Sequence, residues 1–180
     1  MLKGQRINLR TVRQSDLTSW LEVSSDIDHR GQYFPLVLHT ETAIRTAYEK
    51  DGYWSEERGL LLIVDKETDR IIGMMAKFKP VFYYQCVEIG YIIYHPDDRG
   101  KGYASEALRL FVRYLFDLMP IDRIQIQVEP GNLASQRVAR KCGFTYEGTS
   151  RSALMSRGKW VDIDMLSILR SEWRELNPRN

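Results

Sequence analysis

Apolar and polar residues alternate with two different periods in the first third of the chain. In RINLRTV, Ile7 and Leu9 alternate with polar neighbours, which predicts a half-buried strand. Apolar residues recur at helical spacing over residues 17–23, so a helix is expected there. A second helix is expected from Thr40, whose hydroxyl can cap the first turn. Between these helices, residues 25–35 are polar and aromatic and are expected to form a loop.

The middle of the chain predicts three strands and one long helix. The apolar runs GLLLIVD and RIIGMMAKF flank the polar turn KETD, which predicts an antiparallel hairpin at the centre of a sheet. A third strand is expected over residues 87–94, and Pro96 ends it because proline has no N–H to donate to a ladder. Apolar residues then recur at helical spacing from Ala104 to Leu118, as in a helix with one buried face.

The last third of the chain continues the mixture of strands and helices. RIQIQVEP alternates strictly and predicts a strand, after which Asn132 can cap a short helix that Gly143 ends in the left-handed conformation. Two strands around the turn SRGK follow, and the chain ends after LRSEWREL. This order predicts a mixed α/β (α+β) sheet instead of the repeated strand–helix alternation of a doubly wound nucleotide-binding fold. Because no repeat or linker-like stretch is present, residues 1–180 are expected to form one domain.

Composition narrows the function classes. The chain has 180 residues, 43% hydrophobic and 28% charged, which suits a soluble domain with one buried core. Its net charge of +2 provides no global attraction for nucleic acid or an anionic membrane, and its apolar runs are too short to span a bilayer. Cys86 and Cys142 have no zinc-ligand spacing with histidine, so we expect no metal and interpret both as small apolar residues. Without a signal-peptide pattern, the protein is expected in the cytoplasm with reduced thiols.

The stretch DDRGKGYASEAL joins the third strand to the long helix. Its two glycines allow positive φ and a close backbone approach to a ligand, and the first N–H groups of a helix lack intrahelical partners. Together with the helix dipole, these groups form an anion cradle suited to a pyrophosphate. The stretch matches neither a Walker A loop nor GxGxxG, and taken alone it could be a plain glycine-containing helix start. The residues that would form or border the cradle are Arg99, Gly100, Lys101, Gly102, Tyr103 and Ala104.

A second strand-to-helix segment, NLASQRVARKCGF, changes the interpretation of the first. The two segments match two signatures of one known protein family. The first signature is Arg or Gln, any two residues, Gly, any one residue, and then Gly or Ala; Arg99, Gly102 and Ala104 match it. The other signature matches Asn132, Ser135, Lys141, Gly143 and Phe144. With both signatures in order, the chain resembles the GNAT N-acetyltransferase superfamily from LRTVRQSDL to the closing hairpin. It looks most like the branch that contains the ribosomal-protein N-terminal alanine and serine acetyltransferases.

The resemblance implies a single-domain, mostly antiparallel twisted sheet flanked by helices, with acetyl-CoA as the co-substrate. Its pyrophosphate would bind the loop from Arg99 to Ala104, and its pantetheine arm would run beside the strand from Glu88 to Tyr94. Asn132 would bond the arm on its other side. Backbone N–H groups near the end of that strand would stabilise the oxyanion. The donor-binding residues expected on the strand are Ile92, Ile93 and Tyr94, the last two as oxyanion donors.

The expected reaction is direct attack of a neutral amine on a thioester, since the motif contains no nucleophile–base pair of a triad. Glu88 is the candidate base, acting directly or through a water; the alternative is an exposed strand-end charge or an ion pair. Many relatives place a tyrosine acid at the position that Ala139 holds here. Ser135 is therefore the candidate to assist the departing thiolate, unless its hydroxyl only bonds the backbone of the helix start.

The acceptor is expected to be a primary amine, either a protein N-terminus or a small amino compound. An α-amine has a pKa of about 7.7–8.0 and loses its proton more readily than lysine, at about 10.4. The alternative function is a CoA-binding sensor or scaffold without turnover. We expect no nucleic-acid or membrane partner, and the closing hairpin could provide a homodimer edge. Residues that could border the acceptor site, although surface or core roles explain them as well, are Asp26, Asp28, His29, Phe82, Tyr83 and Tyr84.

Overall fold

The structure of the protein, a computed structural model, describes residues 1–26, 31–33, 37–81 and 83–178. Within this part of the chain, eight strands form one sheet and five α-helices accompany it. In chain order the elements are β1 (Leu2–Lys3), β2 (Ile7–Thr11), α1 (Leu17–Ser25), α2 (Glu41–Asp51), β3 (Arg58–Asp65), β4 (Ile71–Phe78), β5 (Cys86–Ile93), α3 (Tyr103–Leu118), β6 (Arg123–Val128), α4 (Leu133–Lys141), β7 (Thr145–Ser156), β8 (Lys159–Leu169) and α5 (Arg170–Leu176).

The sheet has the strand order β1-β2-β3-β4-β5-β6-β8-β7. Neighbouring strands are antiparallel except β5 and β6, which are parallel, so the predicted mixed and mostly antiparallel sheet is confirmed. The predicted central hairpin is β3 with β4. β8 lies between β6 and β7, which leaves the long strand β7 at the edge of the sheet.

β5 and β6 separate after a short paired stretch. Their parallel register joins residues 86–88 to residues 123–125. Beyond Glu88, β5 continues beside β4 as far as Ile93, whereas the described pairing with β6 has ended. The sheet therefore opens into a gap along one edge of β5.

Helices cover both faces of the sheet and divide the core in two. On one face, α3 contributes Phe111 and α4 contributes Ala139 to one core cluster. On the other face, α1 contributes Trp20 and α2 contributes Ile44 to a second cluster. Fully burying a large apolar side chain such as Phe111 contributes about 1.5–3 kcal/mol. Because side chains alternate along a strand, Tyr91 faces α3 and α4, whereas Glu88 shares the opposite face with Ile92.

Strand β2 is buried on both faces instead of the one expected. Ile7 and Leu9 enter the core as predicted, and Arg10 on the other face is also buried, with 4% of its surface exposed. The Arg10 guanidinium bonds both oxygens of Asp16, at 2.6 and 2.9 Å, and Asp69 at 3.0 Å. This pairing allows a charged residue to lie on a covered face, which the alternating pattern does not reveal.

The predicted helix ends are confirmed. Thr40 Oγ1 accepts from the N–H of Ala43 at 3.2 Å, and Gly143 has a φ of 92°. In the final segment LRSEWREL, for which no element was predicted, Arg170–Leu176 form α5, whose Trp173 packs against Phe116. In the described part of the chain, no helix has the length and apolar character needed to cross a membrane.

Candidate active site

A cleft of about 650 Å³ lies where β5, the loop before α3 and the start of α4 meet. It contains most of the site residues expected from the sequence. Three expected residues do not line it: Glu88, Tyr94 and Lys101. Those that do are Ile92, Ile93, Arg99, Gly100, Gly102, Tyr103, Ala104, Asn132 and Ser135.

The loop before α3 has the backbone conformation that its glycines were expected to allow. Gly100 and Gly102 have φ values of 74° and 85°, in the left-handed region. Apart from Gly100 and its two chain neighbours, no described residue has an atom within 4 Å of the position that a Cβ at Gly100 would take. The loop therefore leaves space for a ligand beside the first turn of α3, where helical N–H groups are unsatisfied.

An ion pair from another loop holds this segment in place. Arg70, after the β3–β4 turn, bonds both carboxylate oxygens of Asp98 at 2.8 and 3.0 Å. The bonds from Arg70 lower the pKa of Asp98 and keep this buried carboxylate charged. Lys101 Nζ lies 3.9 Å from the same carboxylate, so its charge lies beside Asp98 and outside the cleft lining.

Arg99 bridges the loop and the end of β5. Its Nε donates to the carbonyl of Ile93 at 3.2 Å, and its Nη2 donates to the carbonyl of Tyr94 at 2.9 Å. The guanidinium therefore lies at the end of the cleft where the glycine loop begins. This position supplies positive charge next to the predicted anion cradle.

The backbone of β5 presents alternate groups to the gap in the sheet. The Tyr94 N–H donates to Ile72 of β4 at 3.0 Å, and it is therefore not directed at the gap. In an antiparallel ladder the direction of N–H groups alternates, so those of Tyr91 and Ile93 point away from β4. Of the two N–H groups expected to stabilise the oxyanion, that of Ile93 faces the gap.

Two hydroxyl groups meet at the start of α4. The hydroxyl oxygens of Tyr91 and Ser135 are 2.9 Å apart, and Tyr91 also donates to the Ser135 carbonyl at 3.1 Å. Asn132 Oδ1 accepts from the Ser135 N–H at 3.1 Å, as the predicted N-cap should. Ala139 is fully buried one turn further along α4. Tyr91 was not selected from the sequence, where its odd spacing from Glu88 indicates only that the two side chains lie on opposite faces of β5.

Glu88 is buried on the opposite face of β5. Only 7% of its surface is exposed, and its Oε2 accepts a 2.7 Å hydrogen bond from the amide of Gln125. Burial raises the pKa of Glu88, and hydrogen bonds from Gln125 and Gln127 partly oppose that rise. Glu88 is therefore not the exposed strand-end charge considered as its alternative role.

Gln125 is itself held by a chain of contacts that reaches the surface. Its Oε1 accepts from Arg123 Nε at 3.4 Å, which leaves the amide nitrogen to donate to Glu88. Arg123 in turn bonds both oxygens of Glu147 at 2.6 and 2.5 Å. Arg123 on the same strand, held by Glu147 of β7, therefore orients the Gln125 side chain that donates to Glu88.

The remaining residues considered in the sequence lie apart from the cleft or outside the described residues. Burial raises the pKa of Cys142 to about 11, and it raises that of Cys86, which suits apolar roles for both. Tyr83 and Tyr84 are exposed and pack edge to face at 5.0 Å, so they are neither core residues nor part of the cleft lining. Asp28, His29 and Phe82 lie outside the described residues. Tyr33, which no sequence pattern indicated, also lines the cleft.

Comparison with known proteins identifies relatives along most of the chain. Residues 6–145 match the family described as acetyltransferase (GNAT) domain. The Bacillus subtilis (strain 168) protein named probable N-acetyltransferase YjcK is 32% identical over 177 residues. That match covers 94% of this chain and 97% of the relative, so the similarity is not confined to the two motifs.

Solved structures share the fold. Spermidine N-acetyltransferase from Vibrio cholerae in complex with CoA and spermine has a TM-score of 0.80 at 19% identity, covering 93% of this chain and 98% of that chain. Ribosomal-protein-S5-alanine acetyltransferase from Vibrio fischeri has a TM-score of 0.79 at 20% identity, covering 95% and 97% respectively. The chain therefore belongs to the GNAT family, and it is an acetyl-CoA-dependent N-acetyltransferase.

Proposed function

We propose that the protein acetylates the primary amine of a protein N-terminus or a small amino compound by direct attack on acetyl-CoA in this cleft. The observation that carries the proposal is the gap beyond Glu88, where β5 leaves β6 immediately beside the glycine loop. A donor with a charged end and an amide-bearing arm needs an anion cradle continuous with an unpaired strand edge. Both features line the same cleft.

The residues present fit such a donor. The Gly100–Ala104 loop would hold the pyrophosphate, with Arg99 adding charge at its edge. The pantetheine arm would add to the edge of β5 that presents Ile93, with Asn132 on its other side. The open space at Gly100 supports this arrangement, because phosphate oxygens could approach the backbone there.

The two candidate catalytic residues would act from opposite faces of β5. The acceptor amine would attack the thioester carbonyl, forming the C–N bond as the C–S bond breaks. Glu88 would take the amine proton, directly or through a water, from the face of α1 and α2. Ser135 would donate a hydrogen bond to the departing thiolate from the face of α4.

The acceptor class rests on the chemistry of the amine. A group that is neutral in a substantial fraction near pH 8 needs little help from a base, which favours an α-amine over a lysine side chain. The structural relatives named above include one enzyme for spermidine and one for a ribosomal-protein alanine, so both small and protein acceptors occur on this fold. The second candidate function is CoA binding without turnover, which Ala139 favours because it occupies the position of the expected acid.

Thiol release from acetyl-CoA, followed across a panel of amines, tests the proposal. The panel contains peptides with free N-termini, amino acids, polyamines and aminoglycosides. We expect release with one acceptor class, with Glu88→Gln slower by about 10²-fold or more and Glu175→Gln, on the exposed face of α5, unchanged. Undiminished transfer by Glu88→Gln would remove Glu88 as the base. Acetyl-CoA binding with no release for any amine would favour the binding protein.

A further inference from the structure

A hydrogen bond joins the hydroxyl groups of Tyr91 and Ser135 across the cleft lining. Tyr91 projects from β5 and Ser135 from α4, 44 positions later in the chain, yet their hydroxyl oxygens are 2.9 Å apart. Both residues line the cleft. A buried tyrosine hydroxyl needs a hydrogen-bond partner, and the partner of Tyr91 is the cleft residue proposed to contact the departing thiolate.

We infer that Tyr91 is a positioning residue that orients the hydroxyl of Ser135 toward the departing thiolate. The inference rests on the proposed function, since it assigns a partner to the residue placed next to the leaving group. It also resolves the departure at Ala139. The phenol that α4 lacks is supplied to the same helix by β5 and acts through Ser135.

Ser135 is held on three sides by its neighbours. Its N–H is bound by Asn132, while its carbonyl and its hydroxyl both contact the Tyr91 hydroxyl. Ser135 is the third residue of α4, so the carbonyl four residues before it belongs to Gly131, outside the helix. That carbonyl accepts from the Leu133 N–H, and the Ser135 hydroxyl contacts Tyr91.

The two hydroxyl groups can exchange their donor and acceptor roles. Each hydroxyl has one hydrogen to donate and can also accept. When Tyr91 donates to the Ser135 carbonyl, the Ser135 hydrogen can be directed at the phenol oxygen. When Tyr91 donates to Ser135 Oγ instead, the Ser135 hydrogen can point into the cleft. A rotation of two O–H bonds therefore delivers a charge-assisted hydrogen bond to a thiolate, strengthened by the donor behind it.

Neither oxygen gives up its proton in this arrangement. The amine proton goes to Glu88 as proposed above, and the thiolate is stabilised by hydrogen bonding alone. Burial raises the pKa of Tyr91, which keeps the phenol protonated and able to donate throughout the working pH range. Tyr91 thus supports the leaving group while Ser135 makes the contact.

The pKa of the CoA thiol bound to the enzyme tests the inference without turnover. The thiolate is followed by its ultraviolet absorbance as pH is raised, for CoA bound to wild type, Tyr91→Phe, Ser135→Ala and the double variant. Loss of one charge-assisted hydrogen bond should raise the pKa of the bound thiol by about one unit. We expect similar values for all three variants, because Tyr91 acts through Ser135.

Tyr114→Phe is the matched control. Tyr114 on α3 packs against the same core cluster as Tyr91, but it stacks on Phe111 and does not line the cleft. This variant should leave the pKa of the bound thiol unchanged. A thiol pKa in Tyr91→Phe equal to that of wild type would overturn the inference while leaving the proposed function intact. Failure of CoA to bind wild type would overturn both.

Steady-state rates provide a second readout. Tyr91→Phe should lower kcat about tenfold with little change in the KM for acetyl-CoA, and the loss should grow as the leaving thiol is made less acidic. A purely structural role would instead change rates equally for all thioesters. Additive losses in the double variant would also contradict the inference, because residues that act as a unit lose their effect once.

Discussion

Gln125 donates a 2.7 Å hydrogen bond to Glu88, and these two residues form the last register pair before β5 and β6 separate. The buried carboxylate therefore lies where the sheet opens, with an amide donor held against it. This relationship links the architecture of the gap to the protonation of the candidate base. With Glu88 as the proposed base, we expect the pH dependence of the reaction to be sensitive to Gln125.

Replacing Gln125 with leucine should move the acid limb of the pH–rate profile. Burial raises the pKa of Glu88, and the hydrogen bond from Gln125 lowers it toward its ordinary value. Without that donor the neutral carboxyl is favoured, so the limb in kcat/KM should move to higher pH by about one unit. Gln14→Leu, at an exposed position away from the cleft, should leave the profile unchanged. A limb that stays in place would show that Glu88 does not govern it.

Gly100→Ala should separate ligand binding from backbone strain. Gly52, at the end of α2, also has a positive φ and no atom near the position of an added side chain. Both alanine variants should therefore lose about 1 kcal/mol of unfolding free energy. Only Gly100→Ala should also weaken CoA binding in calorimetry, by about fivefold or more. Equal CoA affinity in the two variants would place the pyrophosphate elsewhere.

Arg70→Ala should weaken CoA binding, although Arg70 does not line the cleft. Arg70 holds Asp98, and Asp98 precedes the glycine loop. Because Arg70 is half exposed, we expect the loss to be about 1 kcal/mol, or fivefold in Kd. Arg113→Ala, which removes an exposed partner of Asp117 on α3, should change Kd little. Equal losses in both variants would indicate a general effect of charge.

The buried ion pair of Arg10 and Asp16 should contribute strongly to the free energy of unfolding. Asp16→Asn leaves Arg10 only partly compensated by Asp69 and should cost about 3 kcal/mol in chemical denaturation. Asp69→Asn should cost less, because Asp69 is half exposed. Comparable costs for the two variants would contradict this assignment.

The ion pair of Arg10 and Asp16 should also make the free energy of unfolding depend on pH in acid. Burial alone would raise the pKa of Asp16, but hydrogen bonds from Arg10 and the Arg13 N–H outweigh it and lower the pKa. The carboxylate therefore adds stability above the pKa of the unfolded state, about 3.9, and that stability is lost as pH falls through the lower pKa of the folded state. The difference between wild type and Asp16→Asn should shrink over that window. A difference independent of pH would exclude the charge as its source.

Local features of the fold could be predicted because their causes are local in sequence. The caps at Thr40 and Asn132 and the stop at Gly143 depend on one side chain or one φ angle each. The glycine loop is likewise contained in a few consecutive residues. The two-residue alternation of apolar and polar residues predicted the strands of the sheet. It did not predict that Arg10 would be buried on the second face of β2.

The pairs that define the site could not be predicted, because they depend on register between distant segments. Tyr91 meets Ser135 only once α4 is packed against β5, and Glu88 meets Gln125 only through the parallel pairing of β5 with β6. The sequence motifs indicated Ser135 and Glu88 but neither of their partners. Strand parity places Tyr91 and Glu88 on opposite faces of β5, since they are three positions apart, but it does not reveal which face meets α4.

The mass of the acceptor after incubation with acetyl-CoA tests the central claim most directly. Wild type and Glu88→Gln are compared at one pH with the most active amine of the panel, and released CoA is quantified in the same samples. We predict one added acetyl group per CoA released, with Glu88→Gln slower by about 10²-fold or more. Acetyl-CoA that binds the wild-type cleft while no amine gains mass would contradict the account.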